Sequence, residues 1–416
     1  MPPASVRDVS QDRGPGFVWL LAPHPGRVRA CPVGNGGTLG RDEDAPIRID
    51  APGVAPHHAR VDLVVRAPGA TPEIYVTDSG STAGTYVSGM RAQRTVLHEG
   101  DLLRVGGAIA LVVERDVGVY DGTVVDEGGM VRGPRSRRGW WSAVERAIAE
   151  PKEGRRAVTV LGPRGSGRRS VVRRIALAWG VAAVPQDGAL PGEVDLSSVG
   201  EGALPDSIAR AAASGMLVVR GLAQATTSYQ TALASALAAK ADRVPIFVVC
   251  EEPPASLPGD LGALLGVHRV EIPSIEQRRE EIPAMIKSRF ERHGVNANRL
   301  SIELYESMTR AAWPGEIADL IETIDRMATS SPEVPRLGPE HLARPLSRRG
   351  GRVPPRASAP DPSNDADRIR AALVEAKGSV AAAARALHLS RQALYREAAR
   401  LGIDIRRTRD GAGTPA

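Results

Sequence analysis

Residues 157–170, AVTVLGPRGSGRRS, restrict what this chain can fold into more than any other stretch. Val158 and Val160 make a short β-branched run, glycines follow at 162, 165 and 167, and a helix-compatible run begins near Ser166. A strand, a glycine-rich turn and a helix in that order turn backbone N–H groups and a helix N-terminus toward an anion. The usual form of such a loop is G-x-x-x-x-G-K-[ST]. Gly162 and Gly167 keep its spacing, but Arg168 stands at the lysine position and Arg169 at the hydroxyl position. Either Gly162, Gly165, Gly167 and Arg168 still hold an anion, or the glycines only shape a tight turn.

The surroundings fit an α/β layer. Residues 158–161, 216–219 and 246–250 are short apolar runs suited to strands buried on both faces, with Ala-rich helical stretches at 170–179, 205–213 and 229–239 between them. That alternation predicts a mostly parallel sheet wrapped by helices. Trp140, Trp141, Val144 and Ile148 recur at helical spacing and predict a helix packed on the same layer. Upstream, short runs at 17–21, 47–49, 59–65, 73–77, 85–87, 101–105 and 109–113 are punctuated by Gly, Pro and Asp, as in an all-β sandwich.

A chain of 416 residues has room for about three domains. Its two cysteines, Cys31 and Cys250, lie far apart without metal-ligand spacing, so neither a disulfide framework nor a metal site is expected. No apolar run reaches the roughly 18 residues of a membrane span, and the first residues lack the apolar centre of a signal peptide; a cytoplasmic location is expected. The net charge of +6 is uneven. From Arg344 onward fifteen Lys and Arg face seven Asp and Glu, about +8, and the rest of the chain is near −2. A clustered basic excess favours a polyanionic partner.

Three resemblances give these modules expected roles. The order Leu39-Gly40-Arg41, His58-Ala59-Arg60-Val61 and 78–89 (DSGSTAGTYVSG) closely resembles a forkhead-associated (FHA) domain, a phosphothreonine-reading β-sandwich, over 17–115. The resemblance implies phosphopeptide contacts from Arg41, whose planar fork suits phosphate, and from Thr82. Ala55 and Ala83 stand where that family has a serine and an asparagine, and His58 is expected to be a structural, hydrogen-bonded histidine.

The segments 270–283 (VEIPSIEQRREEIP) and 313–320 (WPGEIADL) resemble the helical lid of the AAA+ domain of sigma-54-dependent activators. On that likeness 139–274 is the α/β core and 275–344 the lid, with 116–138 a linker before them. Departures fall on every part of the ATP-hydrolysing machinery that the family implies. Arg168 replaces the lysine. Arg220 and Gly221 stand where an acidic pair would hold magnesium; Pro258 and Leu264 replace the finger arginines, and Ala318 the lid arginine. The insert that touches the sigma factor has no counterpart between Val194 and Gly215. No catalytic residue, metal or cofactor is therefore expected, ATP being the one cofactor the loop leaves open.

After a Pro-, Arg- and Ser-rich linker at 345–363, residues 364–407 predict short helices: Gly378 closes one, Ser379 caps 380–387, Ser390 caps 391–401, and Gly402 ends it. A tail at 408–416 follows. The stretch resembles the Fis-type helix-turn-helix of sigma-54 activators, with Ala383, Leu387, Leu389, Leu394 and Leu401 as its core. The likeness implies duplex DNA as partner and binding as a dimer. Arg391, Gln392, Tyr395 and Arg396 would face the groove beside Ser390, with Arg385 and Arg400 on phosphates. The expected protein is a multidomain DNA-binding regulator: an FHA sandwich for (phospho)protein input, an AAA+-like α/β core with a helical lid and no motor, and an all-α DNA-binding end. It would be a homo-oligomer working with sigma-54 RNA polymerase. An active ATP-dependent activator and an FHA adaptor without DNA binding are the alternatives.

Overall fold

The computed structural model describes residues 14–21, 29–65, 72–120, 124–125, 131–132 and most of 139–342, leaving out 150–156 and a few short stretches. Beyond 346 it describes only residues 376, 379, 380, 382, 383, 394 and 398. The chain divides into two compact units, 1–349 and 350–416.

The first unit opens with eleven short strands: β1 (Gly16–Leu21), β2 (Arg29–Pro32), β3 (Gly37–Gly40), β4 (Ile47–Arg48), β5 (Ala59–Val64), β6 (Glu73–Asp78), β7 (Thr85–Val87), β8 (Met90–Arg91), β9 (Arg94–Leu97), β10 (Leu102–Val105) and β11 (Ala108–Val113). They form two sheets in the orders β2-β1-β11-β10-β7-β8 and β4-β3-β5-β6-β9. Alternate side chains face opposite ways. Phe17, Trp19, Leu103, Val105, Ala108, Ala110 and Val112 therefore meet Leu39, Ile47, Val61 and Ile74 in the sandwich interior. The expected sandwich is present; β2, β3, β8 and β9, too short or too polar to make an apolar run, are additional to the strands read from the sequence.

The other face of the first sheet is apolar too. Val18, Leu20, Leu102, Ile109, Leu111 and Val113 point away from the sandwich core, and Val117 and Tyr120 of the following 3-10 turn (Val117–Tyr120) join them. Such a face must be covered.

After a two-residue ribbon, β12 (Val124–Val125) with β13 (Val131–Arg132), comes α1 (Trp140–Ala149). The α/β layer follows: β14 (Ala157–Leu161), α2 (Arg168–Ala178), β15 (Glu193–Asp195), α3 (Leu204–Ala212), β16 (Leu217–Arg220), α4 (Thr227–Ala238), β17 (Ile246–Cys250), α5 (Gly259–Leu265) and β18 (Arg269–Glu271). Its five strands are parallel, in the order β15-β16-β17-β14-β18. Trp140, Trp141 and Val144 of α1 and Val172 and Ile175 of α2 cover one face against Val158 and Val160. Leu204, Ile208, Leu233, Leu237 and Leu261 cover the other. Both faces are covered by apolar side chains, as the apolar strand runs require.

A 3-10 segment (Ile275–Glu281) then leads into α6 (Ile282–Arg292), α7 (Ile302–Arg310) and α8 (Glu316–Ser330). Ile282, Ile286, Phe290, Leu304, Met308, Leu320 and Ile324 from these helices share one continuous core with the outer face of the first sandwich sheet. The lid-like helices are thus what covers the sandwich.

In the second unit, Ser379 Oγ accepts from the Ala382 N–H at 3.4 Å, and Ala383, Leu394 and Ala398 are buried. The capping read for Ser379 and the burial read for Ala383 and Leu394 are present at those positions. Leu387, Leu389, Leu401 and the DNA-facing candidates Arg385, Ser390, Arg391, Gln392, Tyr395, Arg396 and Arg400 lie outside the described residues.

Candidate functional sites: the sandwich loops and the glycine-rich loop

At one end of the sandwich, two loops are tied together by a single buried imidazole. His58 is fully buried; its Nδ1 accepts from the Ala55 N–H at 3.1 Å, so its Nε2 carries the proton and donates to the Gly84 carbonyl at 3.2 Å. The Ala55 carbonyl in turn accepts from the Arg41 N–H at 3.0 Å. Asp78 organises the second loop. Its carboxylate accepts from the Gly80 and Ser81 N–H groups and from the hydroxyls of Ser81, at 2.6 Å, and Thr85, at 2.7 Å. Burial alone would raise the Asp78 carboxyl, but these four hydrogen bonds outweigh it and hold it below the ordinary carboxylate value. Arg41 and Thr82 are both exposed on the framework so built. The methyl groups of Ala55 and Ala83 sit where the resemblance expects hydroxyl and amide. Asp78, Ser81 and Thr85 belong to the 78–89 motif, but its sequence does not announce their carboxylate–hydroxyl arrangement.

Burial pushes the His58 imidazole below its usual value, against the opposing pull of the Gly84 hydrogen bond and Asp78. A neutral, buried histidine stabilises the fold fully above the unfolded value near 6.5, and that contribution is lost as pH falls from there toward the lowered folded value. Thermal unfolding of the full chain between pH 7.5 and 5.5 is therefore expected to show stability falling with acidification. A His58→Gln variant should show a shallower slope; an unchanged slope would exclude His58 as its source.

The second candidate lies at the carboxyl ends of the parallel strands. Gly162 has φ +148, and a Cβ there would lie 2.7 Å from the Ile272 carbonyl; at Gly165, φ +84, it would lie 2.1 Å from the Gly315 carbonyl. Both positions exclude side chains because backbone from elsewhere packs directly on the loop. Ala318 N–H donates to the Gly165 carbonyl at 3.2 Å, and Arg278 Nη2 donates to the Ser166 carbonyl at 2.8 Å. The position expected to hold a lid arginine thus seats a backbone amide and a methyl on the loop.

Arg168 opens α2 and is half-buried; among the described residues no hydrogen bond or ion pair reaches its guanidinium. Burial lowers its guanidinium from the ordinary value, Glu251 and Cys250 oppose that, and Arg220 and Arg164 add to it. The Cys250 thiol is pushed up to about 11 by burial and stays protonated.

Arg220 ends β16, at the position where the sequence resemblance expects magnesium-holding acids. Its Nη1 donates to Glu193 Oε1 at 2.6 Å and its Nη2 lies 3.9 Å from Asp195 Oδ2, both on the neighbouring strand β15. Arg169 Nη2 donates to the same Glu193 oxygen at 2.7 Å. Burial would raise the Glu193 carboxyl, but these two guanidinium partners bring it below the usual range. The nearby carboxylates are therefore consumed by arginines. A cation at Arg220 repels a divalent metal at close range, and no group of three His, Cys, Asp or Glu side chains suited to a metal occurs among the described residues. The residues present do not fit magnesium. What the loop offers is positive charge: the unpaired Arg168 at a helix N-terminus.

Of the remaining sequence candidates, Pro258 precedes α5, and the 20-odd residues after Val194 form a turn, a short 3-10 helix (Glu201–Ala203) and the nine-residue α3, with no longer insert. No described helix is long and apolar enough to cross a membrane.

Residues 37–106 match the family model of the FHA domain. Among solved structures, the chain is similar to NtrX from Brucella abortus in complex with ATP, at 16% identity over 64% of this chain and 67% of that one, with a TM-score of 0.37. It is also similar to the FhaA FHA domain complexed with the intracellular domain of Rv3910, at 26% identity over 19% of this chain and 80% of that one, with a TM-score of 0.17. A third is the Slr1951 protein from Synechocystis sp., at 22% identity over 20% of this chain and 81% of that one, with a TM-score of 0.19. No curated protein matches the chain. Residues 37–106 form an FHA domain within the sandwich.

Proposed function

We propose that this chain is a sequence-specific DNA-binding regulator of transcription, derived from sigma-54-dependent activators, whose AAA+-like core no longer hydrolyses ATP. The observation that carries the loss of the motor is Arg220: a guanidinium held by Glu193 occupies the place of the metal-binding acids. Arg168, Pro258 and Ala318 depart from the machinery in the same direction, and the lid-like helices rest on the glycine-rich loop through Ala318 and Arg278. In this reading the core is a scaffold for assembly, with no catalytic residue and no metal.

Signal enters through the FHA domain, whose exposed Arg41 and Thr82 share one loop framework and would meet a phosphothreonine-containing protein. Output is through the basic C-terminal segment. Its resemblance to a Fis-type helix-turn-helix and its charge support binding of duplex DNA as a dimer in the cytoplasm, beside sigma-54 polymerase.

Two measurements on the full chain decide it. Genome-wide DNA crosslinking is expected to recover discrete sites, and in vitro affinity for them should fall steeply as salt rises, as counterion release requires; no enrichment would leave an FHA adaptor. ATP turnover with magnesium is expected to stay at background. Turnover abolished by Arg168→Ala would instead establish an active ATPase.

A further inference from the structure

The sandwich and the glycine-rich loop are joined through the lid by polar contacts linked along α7 and the segment 275–281. Tyr86 is the middle residue of β7, the short strand that follows the loop carrying Thr82. The Arg104 guanidinium lies 3.8 Å from the centre of the Tyr86 ring, on the lid side of β10. It is almost wholly buried, and its Nε donates to Glu306 Oε2 on α7 at 2.7 Å, with Glu303 3.6 Å away. One turn further along α7, the Thr309 carbonyl accepts from Arg279 Nε and Nη2, both at 3.2 Å, while Arg279 Nη1 donates to the Gly100 carbonyl of the sandwich at 2.9 Å. Arg310 donates to the Ser88 carbonyl.

The next residue back along the chain turns the other way. Arg278 is 4% exposed, donates to Ser166 of the glycine-rich loop, lies 5.4 Å from the Trp140 ring centre and pairs with Glu281 at 3.5 Å. Arg278 and Arg279 are thus two arms of one short segment: one grips the loop that carries Arg168, the other grips the FHA sandwich. Glu316 fixes the start of that segment, its Oε2 accepting from the Ile275 N–H at 2.6 Å. Non-helical backbone at Arg278, φ −133 and ψ 42, is what lets neighbouring side chains diverge.

We propose that the segment 275–281 couples the recognition end of the FHA domain to the glycine-rich loop, so that a change in the order of one alters the opening of the other. The coupling deepens the reading of the FHA domain as signal input: Tyr86 and Arg104 are positioning residues that pass a change in the Thr82 loop to α7, and Arg278 passes it to Ser166. Packed, bistable networks carry coupling of this kind, and coupling is reciprocal.

The experiment is hydrogen exchange on the full chain, and it needs no ligand. Tyr86→Leu removes the ring at the sandwich end of the network; Arg278→Met removes the grip on Ser166 at its loop end. In Tyr86→Leu the amides of Ser166, Val171 and Ala318 are expected to exchange at least about fivefold faster. Arg278→Met should accelerate the β10 amides by a similar factor, while 227–238 stays unchanged in both. Acceleration that stops at α7, or an equal rise at 227–238, overturns the proposal. Should Tyr86→Leu not fold, Arg279→Lys gives the same reading, because it keeps the charge and shortens the reach to Gly100. Failure of phosphothreonine peptides to bind would sink the signal-input reading and leave this result standing; normal peptide binding with unchanged Ser166 exchange would do the reverse.

Discussion

Glu306→Ala is expected to destabilise the whole first unit by about 3–5 kcal/mol, the usual cost of stranding one member of a buried ion pair. Arg104 and Glu306 are 10% and 5% exposed at their side chains, and the stacking on Tyr86 leaves Arg104 nowhere to go. Glu303 stands 3.6 Å from Arg104 and is half-exposed, so it replaces only part of the lost partner. The second Glu306 oxygen, Oε1, is buried without a hydrogen bond. The pair is therefore a costly arrangement that the fold tolerates, and Arg104→Met combined with Glu306→Leu should recover most of the loss. A double-mutant cycle in urea measures this. Additive losses would show that the two side chains do not depend on each other.

Phe290→Ala should cost a similar amount, about 3–5 kcal/mol, by opening a cavity in a packed core. Phe290 is fully buried on α6, which packs against β1 and shares its core with Val18, Leu20 and Ile109 of the sandwich. If sandwich and lid are one cooperative block, amide protection in β1 and β11 falls together with that in α6 and α8. If protection falls in the helices alone, the shared core is a contact between two independently folding bodies.

The sequence made the sandwich and the parallel sheet readable because alternation and short apolar runs are local. It exposed β14, β16 and β17 in this way, but not β15 or β18, three-residue strands whose ends are Glu193 and Asp195, Arg269 and Glu271. Their membership depends on backbone pairing with neighbours, which leaves no apolar run to see. Union of sandwich and lid did have a signal: in β1 and β11 both alternating sets are apolar, Phe17 and Trp19 with Val18 and Leu20, Ala108, Ala110 and Val112 with Ile109, Leu111 and Val113. Strands of that kind need cover on two sides. For the glycine-rich loop, the arginine at 220 was legible, but its capture by Glu193 was not. It arises from the parallel register that sets Asp195 opposite Arg220, 25 residues apart in the chain. Likewise, nothing local to Arg278 or Arg279 announces that they point to different bodies.

The late arrival of the lid matters for synthesis. A ribosome finishes β11 and must add well over a hundred residues before α6 and α8 exist to cover it, roughly 10–40 s at elongation rates of about 5–20 residues per second. For that interval a nascent sandwich carries a greasy back with nothing on it, and it is in that window that chaperones should find the polypeptide.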